Sequence, residues 1–130
     1  SPEIHPVLDA ETILHHQKLV RRVRVEPVVQ DFAVRLTLAS HPKGPFATPL
    51  VNRFLRFGAS PRAAQTLVLA GKVRALLAGR PFVNADDIKS VALPALRHRV
   101  QTNFEAEAEG KGVGEIVQNL IDTTPPTAAA

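Results

Sequence analysis

Apolar residues recur at helical spacing along most of the chain. The clearest stripe starts after Pro27, where the positions i, i+3, i+4, i+7 and i+10 are Val29, Phe32, Ala33, Leu36 and Ala39. This stripe predicts a helix from Pro27 to about Ser40. An earlier stripe follows Asp9, a good N-cap residue, and predicts a helix to about Arg22 through Ala10, Ile13, Leu14, Gln17 and Val20.

A third helix is signalled by its ends. Ser60 followed by Pro61 combines an N-cap hydroxyl with a residue whose φ is already helical, and a run rich in Ala, Leu and Val continues to Ala78. Gly79 then ends the helix. Because this run is long and largely apolar, we expect it to be the central and most buried helix.

A fourth helix should start at Asn84 or Ala85. Asp86 and Asp87 fall in its first turn, where carboxylates favour the positive end of the helix dipole. These two acidic residues are therefore interpreted as capping residues rather than as a catalytic pair. Pro94 is expected to kink or interrupt the helix.

The remaining segments complete a small bundle. We expect extended links at residues 23–25 and 100–104, and a proline-rich loop of about a dozen residues between Ser40 and Val51. A final amphipathic helix is indicated by Val113, Ile116, Val117 and Leu120. The sequence thus predicts an all-α fold, a bundle of four to five helices over residues 1–122, followed by a flexible tail over residues 123–130.

Composition narrows the class of protein. The 130 residues include no Cys, which excludes disulfides and thiolate metal sites, and no Met even at position 1, so we expect a piece of a longer protein. No apolar stretch could span a bilayer and no signal peptide begins the chain, so a cytoplasmic location is expected. No metal site is predicted, because the histidines lack ligand spacing.

The candidate chemistry lies at the predicted start of the third helix. A helix N-terminus offers unpaired N–H groups and partial positive charge, which suit an anion. Arg62 adds a full charge there, although an arginine in a first turn is unfavourable by about 0.3–1 kcal/mol. Gly58 would allow a tight turn or a close approach of the backbone to a partner.

Three motifs in order resemble the C-terminal lid of MoxR-type AAA+ ATPases. They are residues 58–63 (GASPRA), residues 78–88 (AGRPFVNADDI) and residues 96–100 (LRHRV). The resemblance extends over about residues 7–122 and includes PVLD at residues 6–9 and VRRVRV at residues 20–25. The loop at residues 41–57 departs from the family pattern through its three prolines and its basic, apolar end.

The resemblance implies a function for the candidate residues. In the family, GASPRA is the sensor 2 motif, so Arg62 would reach the γ-phosphate of ATP bound to a neighbouring core domain, and Gly58, Ser60, Pro61 and Arg62 would form the nucleotide-contacting element. The lid would contribute to ATP hydrolysis and transmit the nucleotide state. The family's P-loop and Walker B acid are absent from this sequence, so the piece alone should be inactive, with no bound ATP or Mg²⁺.

The resemblance also implies partners and cofactors. The full-length protein would use ATP and Mg²⁺, and the lid would contact the ATPase core domain of the same chain. Adjacent subunits of a hexameric ring would be further partners, and proteins with a von Willebrand factor A domain are possible ones. The machine would act as a chaperone that remodels other proteins.

Two alternatives remain open at the level of sequence. The formal net charge of +4 would suit a small helical module that binds nucleic acid through Arg21, Arg22, Arg24, Arg97 and Arg99, although an acidic run at residues 105–109 opposes it. The second alternative is a protein-interaction domain, with Phe54, Leu55 and Phe57 as an exposed patch.

Overall fold

The computed structural model describes residues 1–128, which form seven helices and four very short strands. The helices are α1 (Ala10–Arg22), α2 (Pro27–Ala39), α3 (Pro49–Phe54), α4 (Pro61–Leu77), α5 (Ala85–Leu96), α6 (Phe104–Glu109) and α7 (Val113–Thr123). The strands are β1 (Arg24–Val25), β2 (Leu55–Phe57), β3 (Phe82–Val83) and β4 (Gln101–Thr102). The predicted all-α class is confirmed. Within residues 1–128, no helix has both the length and the apolarity needed to cross a bilayer.

Several helices begin where the capping residues predict. The Asp9 carboxylate accepts a hydrogen bond from the Thr12 N–H at 2.8 Å, and α2 opens on Pro27. At the start of α5, Asn84 and Asp87 form a reciprocal capping box, in which each side chain accepts a bond from the other residue's backbone N–H at 2.9 Å. Capping therefore accounts for Asp87.

The core is built around α2. Its predicted apolar stripe is buried, and α2 packs against α4, α5 and α7. The expectation that α4 is the most buried helix is wrong: α4 buries only Ala63, Leu67, Gly71 and Ala75 of its 17 residues. The reason is that α4 carries a second apolar stripe, which faces solvent: Leu69, Val73, Leu76 and Leu77. The α1 stripe is also incompletely covered, because no residue of α1 is fully buried.

A glycine in the middle of α4 allows other elements to pack closely against this helix. A Cβ atom on Gly71 would lie 2.9 Å from Cδ1 of Ile88 and 3.1 Å from Cγ1 of Val83. The absence of a side chain therefore allows α5 and β3 to approach α4. This packing compensates for the intrinsic penalty of a glycine inside a helix, about 1 kcal/mol relative to alanine.

The extended links pair with each other. Strand β1 runs parallel to β3, with Arg24 opposite Phe82, and β2 runs antiparallel to β4, with Leu55 opposite Thr102. The first pair joins the segment after α1 to the segment after α4. The second pair joins the end of α3 to the segment after α5, so that each link has a fixed neighbour.

Three sequence predictions need correction. The predicted loop after Ser40 ends at Thr48, whose hydroxyl caps α3 by accepting a bond from the Val51 N–H at 3.3 Å. Helix α6 occupies a segment for which no helix is predicted. Of the two effects predicted for Pro94, the interruption is wrong, because α5 continues past it to Leu96.

Helical structure and hydrogen bonds to the core continue past residue 122. Helix α7 includes Thr123, and the buried Thr124 hydroxyl donates to the Leu120 carbonyl. The guanidinium of Arg35, which is almost fully buried, donates to the carbonyls of Pro125 at 2.6 Å and Pro126 at 3.0 Å. Arg35 thus joins α2 to the segment after α7. Residues 129–130 of the predicted tail lie outside the described residues.

Candidate functional site

Arg62 lies in the first turn of α4 with its side chain exposed to solvent. Ser60 occupies the N-cap position in an extended conformation, and its carbonyl accepts the first bond of the helix from the Ala63 N–H at 2.9 Å. The predicted cap by the Ser60 hydroxyl is wrong, because that side chain makes no capping hydrogen bond. Pro61 has no N–H and the Ala63 N–H is already bonded, so what the start of α4 offers an anion is mainly the positive partial charge of the helix dipole.

The segment that leads into Arg62 is held by the end of α2. The buried Ala59 N–H donates to the Ser40 hydroxyl at 2.9 Å, and that hydroxyl donates to the Thr37 carbonyl at 2.6 Å. His41 Nε2 donates to the Ala59 carbonyl at 2.6 Å, which fixes the tautomer with its proton on Nε2. Both polar groups of the Ala59 backbone are thus satisfied by consecutive residues of one neighbouring segment.

Gly58 is required by a close approach within the domain. A Cβ atom at this position would lie 2.6 Å from the Ser40 carbonyl oxygen and 2.8 Å from Cδ2 of His41. The sequence predicts a tight turn or a close approach to a partner, whereas the structure shows a close approach to the domain's own backbone. The segment it approaches is the C-terminal end of α2.

A small cavity of about 340 Å³ lies beside Arg62. It is lined by Arg62, Gln65, Thr66, Leu69 and Arg99. Arg99 comes from the turn after α5, and its Nη2 donates to the Thr66 hydroxyl at 3.3 Å. No residue in this lining carries a carboxylate, so the cavity is positively charged. The sequence assigns only Arg62 to this site, and the one available signal for Arg99 is its place in the LRHRV motif.

An apolar groove lies on the adjacent face of α4. Its volume is about 560 Å³, and it runs between α2 and α4 over side chains that include Val34, Leu38, Pro61 and Val68. Gln65 and Leu69 line both the groove and the arginine cavity, and so form the ridge between them. The groove is within the size range of small-molecule sites.

Other charged clusters hold the fold together. Arg80 contacts Asp87 through two hydrogen bonds of 2.8 and 2.6 Å, and this pairing lowers the pKa of the buried Asp87 carboxyl. Arg53 of α3 pairs with Glu105 and Glu109 of α6. Two members of the acidic run are thereby explained by helix packing. Residues 1–128 contain no cluster of three His, Cys, Asp or Glu side chains arranged to hold a metal ion.

The arginines of the nucleic-acid alternative fall into two separate groups. The Arg24 N–H donates to the Pro81 carbonyl just beyond the C-terminal end of α4, whereas Arg99 contacts Thr66 near its start. Helix geometry puts about 16 Å between Thr66 and Leu77, the last residue of α4. These arginines therefore do not form one continuous stripe.

The interaction-patch alternative is wrong in two of its three residues. Phe54 is fully buried and Leu55 is 3% exposed, because α3 and β2 pack them into the core. Phe57, at 55% exposure, is the member of the patch that faces solvent. A single exposed aromatic residue is ordinary on a protein surface and does not form an anchoring patch.

Comparison with known proteins agrees with this arrangement. Residues 48–120, more than half of the chain, match the model of the AAA lid domain family. Protein MoxR of Methylorubrum extorquens is 34% identical over 125 residues, which cover 92% of this chain and 36% of that protein. Chaperone MoxR1 of Mycobacterium tuberculosis is 26% identical over 122 residues, which cover 94% of this chain and 32% of that protein.

A solved structure shows the same fold. The crystal structure of a candidate ATPase from Cytophaga hutchinsonii superposes with a TM-score of 0.83 at 27% sequence identity, over 88% of this chain and 35% of that one. The chain thus spans about a third of the length of the relatives it matches. Its matched family model and its helical architecture show that this chain belongs to the AAA lid domain family, and its relatives include MoxR proteins.

Proposed function

We propose that this lid completes the ATP site of a MoxR-type AAA+ ATPase, and that Arg62 is the sensor 2 arginine that contacts the γ-phosphate. One observation carries the proposal: Arg62 is exposed at the start of α4. There its guanidinium adds a full positive charge to the positive end of the α4 dipole. The hydrogen bond from the Ala59 N–H to the Ser40 hydroxyl and the one from His41 to the Ala59 carbonyl hold this helix start in position.

The chemistry follows from the charge of the transferred group. Phosphoryl transfer needs little covalent help from a protein, so positive groups arranged around the γ-phosphate supply most of the catalysis. Arg62 offers a planar set of donors suited to phosphate oxygens. The P-loop and Walker B acid belong to the core domain, which would bind ATP and Mg²⁺. This chain would contribute the Arg62 guanidinium, a cation that approaches the γ-phosphate from the lid.

The same contact would report the state of the nucleotide. ATP carries the phosphate that Arg62 would contact, whereas ADP lacks it, so the lid would bind the core more tightly before hydrolysis than after it. A lid that changes its angle with nucleotide state can drive the remodelling of a client protein. This role rests on the same residue as catalysis, and both would be lost together.

The larger assembly belongs to the same proposal. The domain would pack against the ATPase core of its own chain and against neighbouring subunits in a hexameric, chaperone-like machine in the cytoplasm, with von Willebrand factor A domain proteins as partners. The partly covered stripe of α4, Leu69, Val73, Leu76 and Leu77, supplies apolar surface of the kind that protein contacts bury. Sedimentation of the intact protein with and without ATP tests the ring, and a population that remains monomeric in both conditions contradicts it.

The decisive experiment replaces Arg62 with Ala in the protein that joins this lid to its core. We expect ATP turnover to fall about tenfold to a hundredfold, since bonds to charged groups contribute about 1.5–3 kcal/mol each, while nucleotide binding is retained. Turnover is measured by phosphate release.

The matched control is Arg74→Ala, which removes an exposed arginine from the last part of the same helix. It should leave turnover within about twofold, because charge beyond the helix's first turn adds little to an anion there. Equal turnover of the Arg62→Ala variant and the unmodified protein would remove the sensor role.

A further inference from the structure

The cavity beside Arg62 contains a second guanidinium that the sensor 2 assignment leaves unused. Arg99 follows α5, and its backbone N–H donates to the Leu96 carbonyl at 2.9 Å, which fixes the turn. Its Nη2 donates to the Thr66 hydroxyl at 3.3 Å. The side chain is therefore held against α4 next to Arg62, although Arg62 belongs to α4 and Arg99 to the turn after α5.

The hydrogen bonding of Arg99 is incomplete. Its Nε is shielded from solvent and has no acceptor within residues 1–128. A buried donor without an acceptor loses its bond to water and gains nothing in exchange, which is unfavourable. Since the cavity lining offers no carboxylate, the guanidinium has more donors than the cavity has acceptors.

Other arginines of the domain that are at least partly shielded behave differently. Arg35 pairs with Asp31 at 2.7 Å, and Arg80 pairs with Asp87 at 2.6 Å. Even the more exposed Arg53 contacts Glu105 at 2.8 Å. In the part of the chain that the structure describes, Arg99 is half-buried yet forms no ion pair with a carboxylate. Its partner should therefore be an anion from outside this domain.

We propose that Arg99 is a second phosphate-binding residue, which forms with Arg62 a two-arginine cradle for the terminal phosphate of the nucleotide. This inference rests on the proposed function, because it assigns the ligand of the same site. A phosphate in the cavity would accept bonds from both guanidiniums. A small rotation of Arg99 toward it would also give Nε an acceptor.

The two arginines would contribute differently. Arg62 is exposed and free to adjust, whereas Arg99 is already positioned by Thr66 and loses less conformational entropy on binding. Because Arg62 belongs to α4 and Arg99 to the turn after α5, a phosphate held by both would also fasten these two helices to each other at one end.

The test compares nucleotide affinities in the intact ATPase. The variant is Arg99→Ala, and the probes are ADP and a non-hydrolysable ATP analogue, titrated by fluorescence. We expect affinity for the ATP analogue to fall about tenfold or more, and affinity for ADP to change less than twofold, since ADP lacks the phosphate in the cradle. Arg99→Lys, which keeps the charge without the planar set of donors, should recover part of the loss.

The variant Thr66→Val tests whether Arg99 acts only through its structural contact with Thr66. This variant removes the hydroxyl that holds Arg99 but keeps both arginines, so its preference for the ATP analogue over ADP should stay within about threefold of the unmodified protein. An unchanged preference in Arg99→Ala overturns the inference. Equal losses for both nucleotides, matched by an equal loss in Thr66→Val, also overturn it.

Arg62→Ala distinguishes this inference from the function on which it rests. Reduced turnover in Arg62→Ala, together with an unchanged nucleotide preference in Arg99→Ala, removes the cradle and leaves the sensor 2 proposal standing. Unchanged turnover in Arg62→Ala removes that proposal whatever Arg99 does. A lost preference in Arg99→Ala alone would then assign the phosphate contact to Arg99 and overturn the cradle as a two-arginine site.

Discussion

Gly58 lies so close to the end of α2 that it has no room for a side chain. Any Cβ would meet the Ser40 carbonyl oxygen at 2.6 Å, and this oxygen belongs to a backbone that cannot rotate away as a side chain can. The absence of a side chain at Gly58 therefore allows the Ala59 N–H to reach the Ser40 hydroxyl. This contact fixes the position at which α4 starts.

Replacement of Gly58 by Ala should lower the free energy of unfolding by about 1–3 kcal/mol, as other overpacked sites do. Urea denaturation measures the change. The control is Gly114→Ala, because no atom lies within 4 Å of a Cβ there and the residue belongs to α7. That variant should not lower stability, because alanine is favoured over glycine in a helix by up to about 1 kcal/mol. Equal stabilities of the two variants would contradict the assigned close approach.

The helices differ in how clearly the sequence predicts them. Five helices have an apolar stripe or recognisable capping residues in the sequence, and all five are predicted. Helices α3 and α6 have six residues each, too few to establish a period, and contacts between them stabilise both through Arg53 and its partners Glu105 and Glu109. Sequence spacing cannot show such a contact, because about 50 residues separate its partners.

At the start of α5, Asp87 serves as a cap and as the partner of Arg80. Hydrogen bonds from Arg80 lower the pKa of the Asp87 carboxyl below 3.8, its ordinary value. A carboxyl whose pKa is lowered by folding stabilises the protein above its unfolded-state pKa, and this contribution is lost as the pH falls through the lower, folded-state value. Stability from Asp87 should therefore be complete above about pH 5 and decline in more acidic solution.

Asp87→Asn should be less stable than the unmodified domain by about 1–3 kcal/mol at neutral pH, because it removes the charge from an ion pair in which Asp87 is buried but Arg80 is partly exposed. It should also show a weaker loss of stability between neutral and acid pH. Chemical denaturation at a series of pH values measures both effects. Asp86→Asn is the matched control, since Asp86 is exposed in the same turn. An equal loss in both variants would show that the dipole, not the ion pair, is responsible.

The packing of the helices explains why only part of the candidate site could be predicted from the sequence. Arg62 stands in a continuous motif, so the sequence indicates its role directly. Arg99 lies far along the chain, and only the packing of α5 on α4, which Gly71 permits, brings it to Thr66. The exposed stripe of α4 is likewise invisible in the sequence, because an apolar run does not show which of its faces a neighbour will cover.

The division of the basic residues leads to a prediction for the domain's surface. Arg21, Arg22 and Arg24 lie around the end of α1 and β1, away from Arg97 and Arg99 at the end of α5. Without one continuous basic face, we expect no salt-dependent binding of a labelled DNA duplex in fluorescence anisotropy at about 50 mM salt. Tight binding there that weakens steeply at about 200 mM salt would favour the nucleic-acid alternative.

The contact between Gly58 and Ser40 also limits how this lid can move. The backbone of Gly58 contacts that of Ser40, and two hydrogen bonds hold Ala59. The end of α2 and the start of α4 are therefore tightly connected. The exposed side chain of Arg62 can adjust, but a displacement of its backbone by a few ångströms would break these contacts unless the end of α2 moved with it. Since α2 forms the centre of the core, the start of α4 and the rest of the domain would move together as one rigid body.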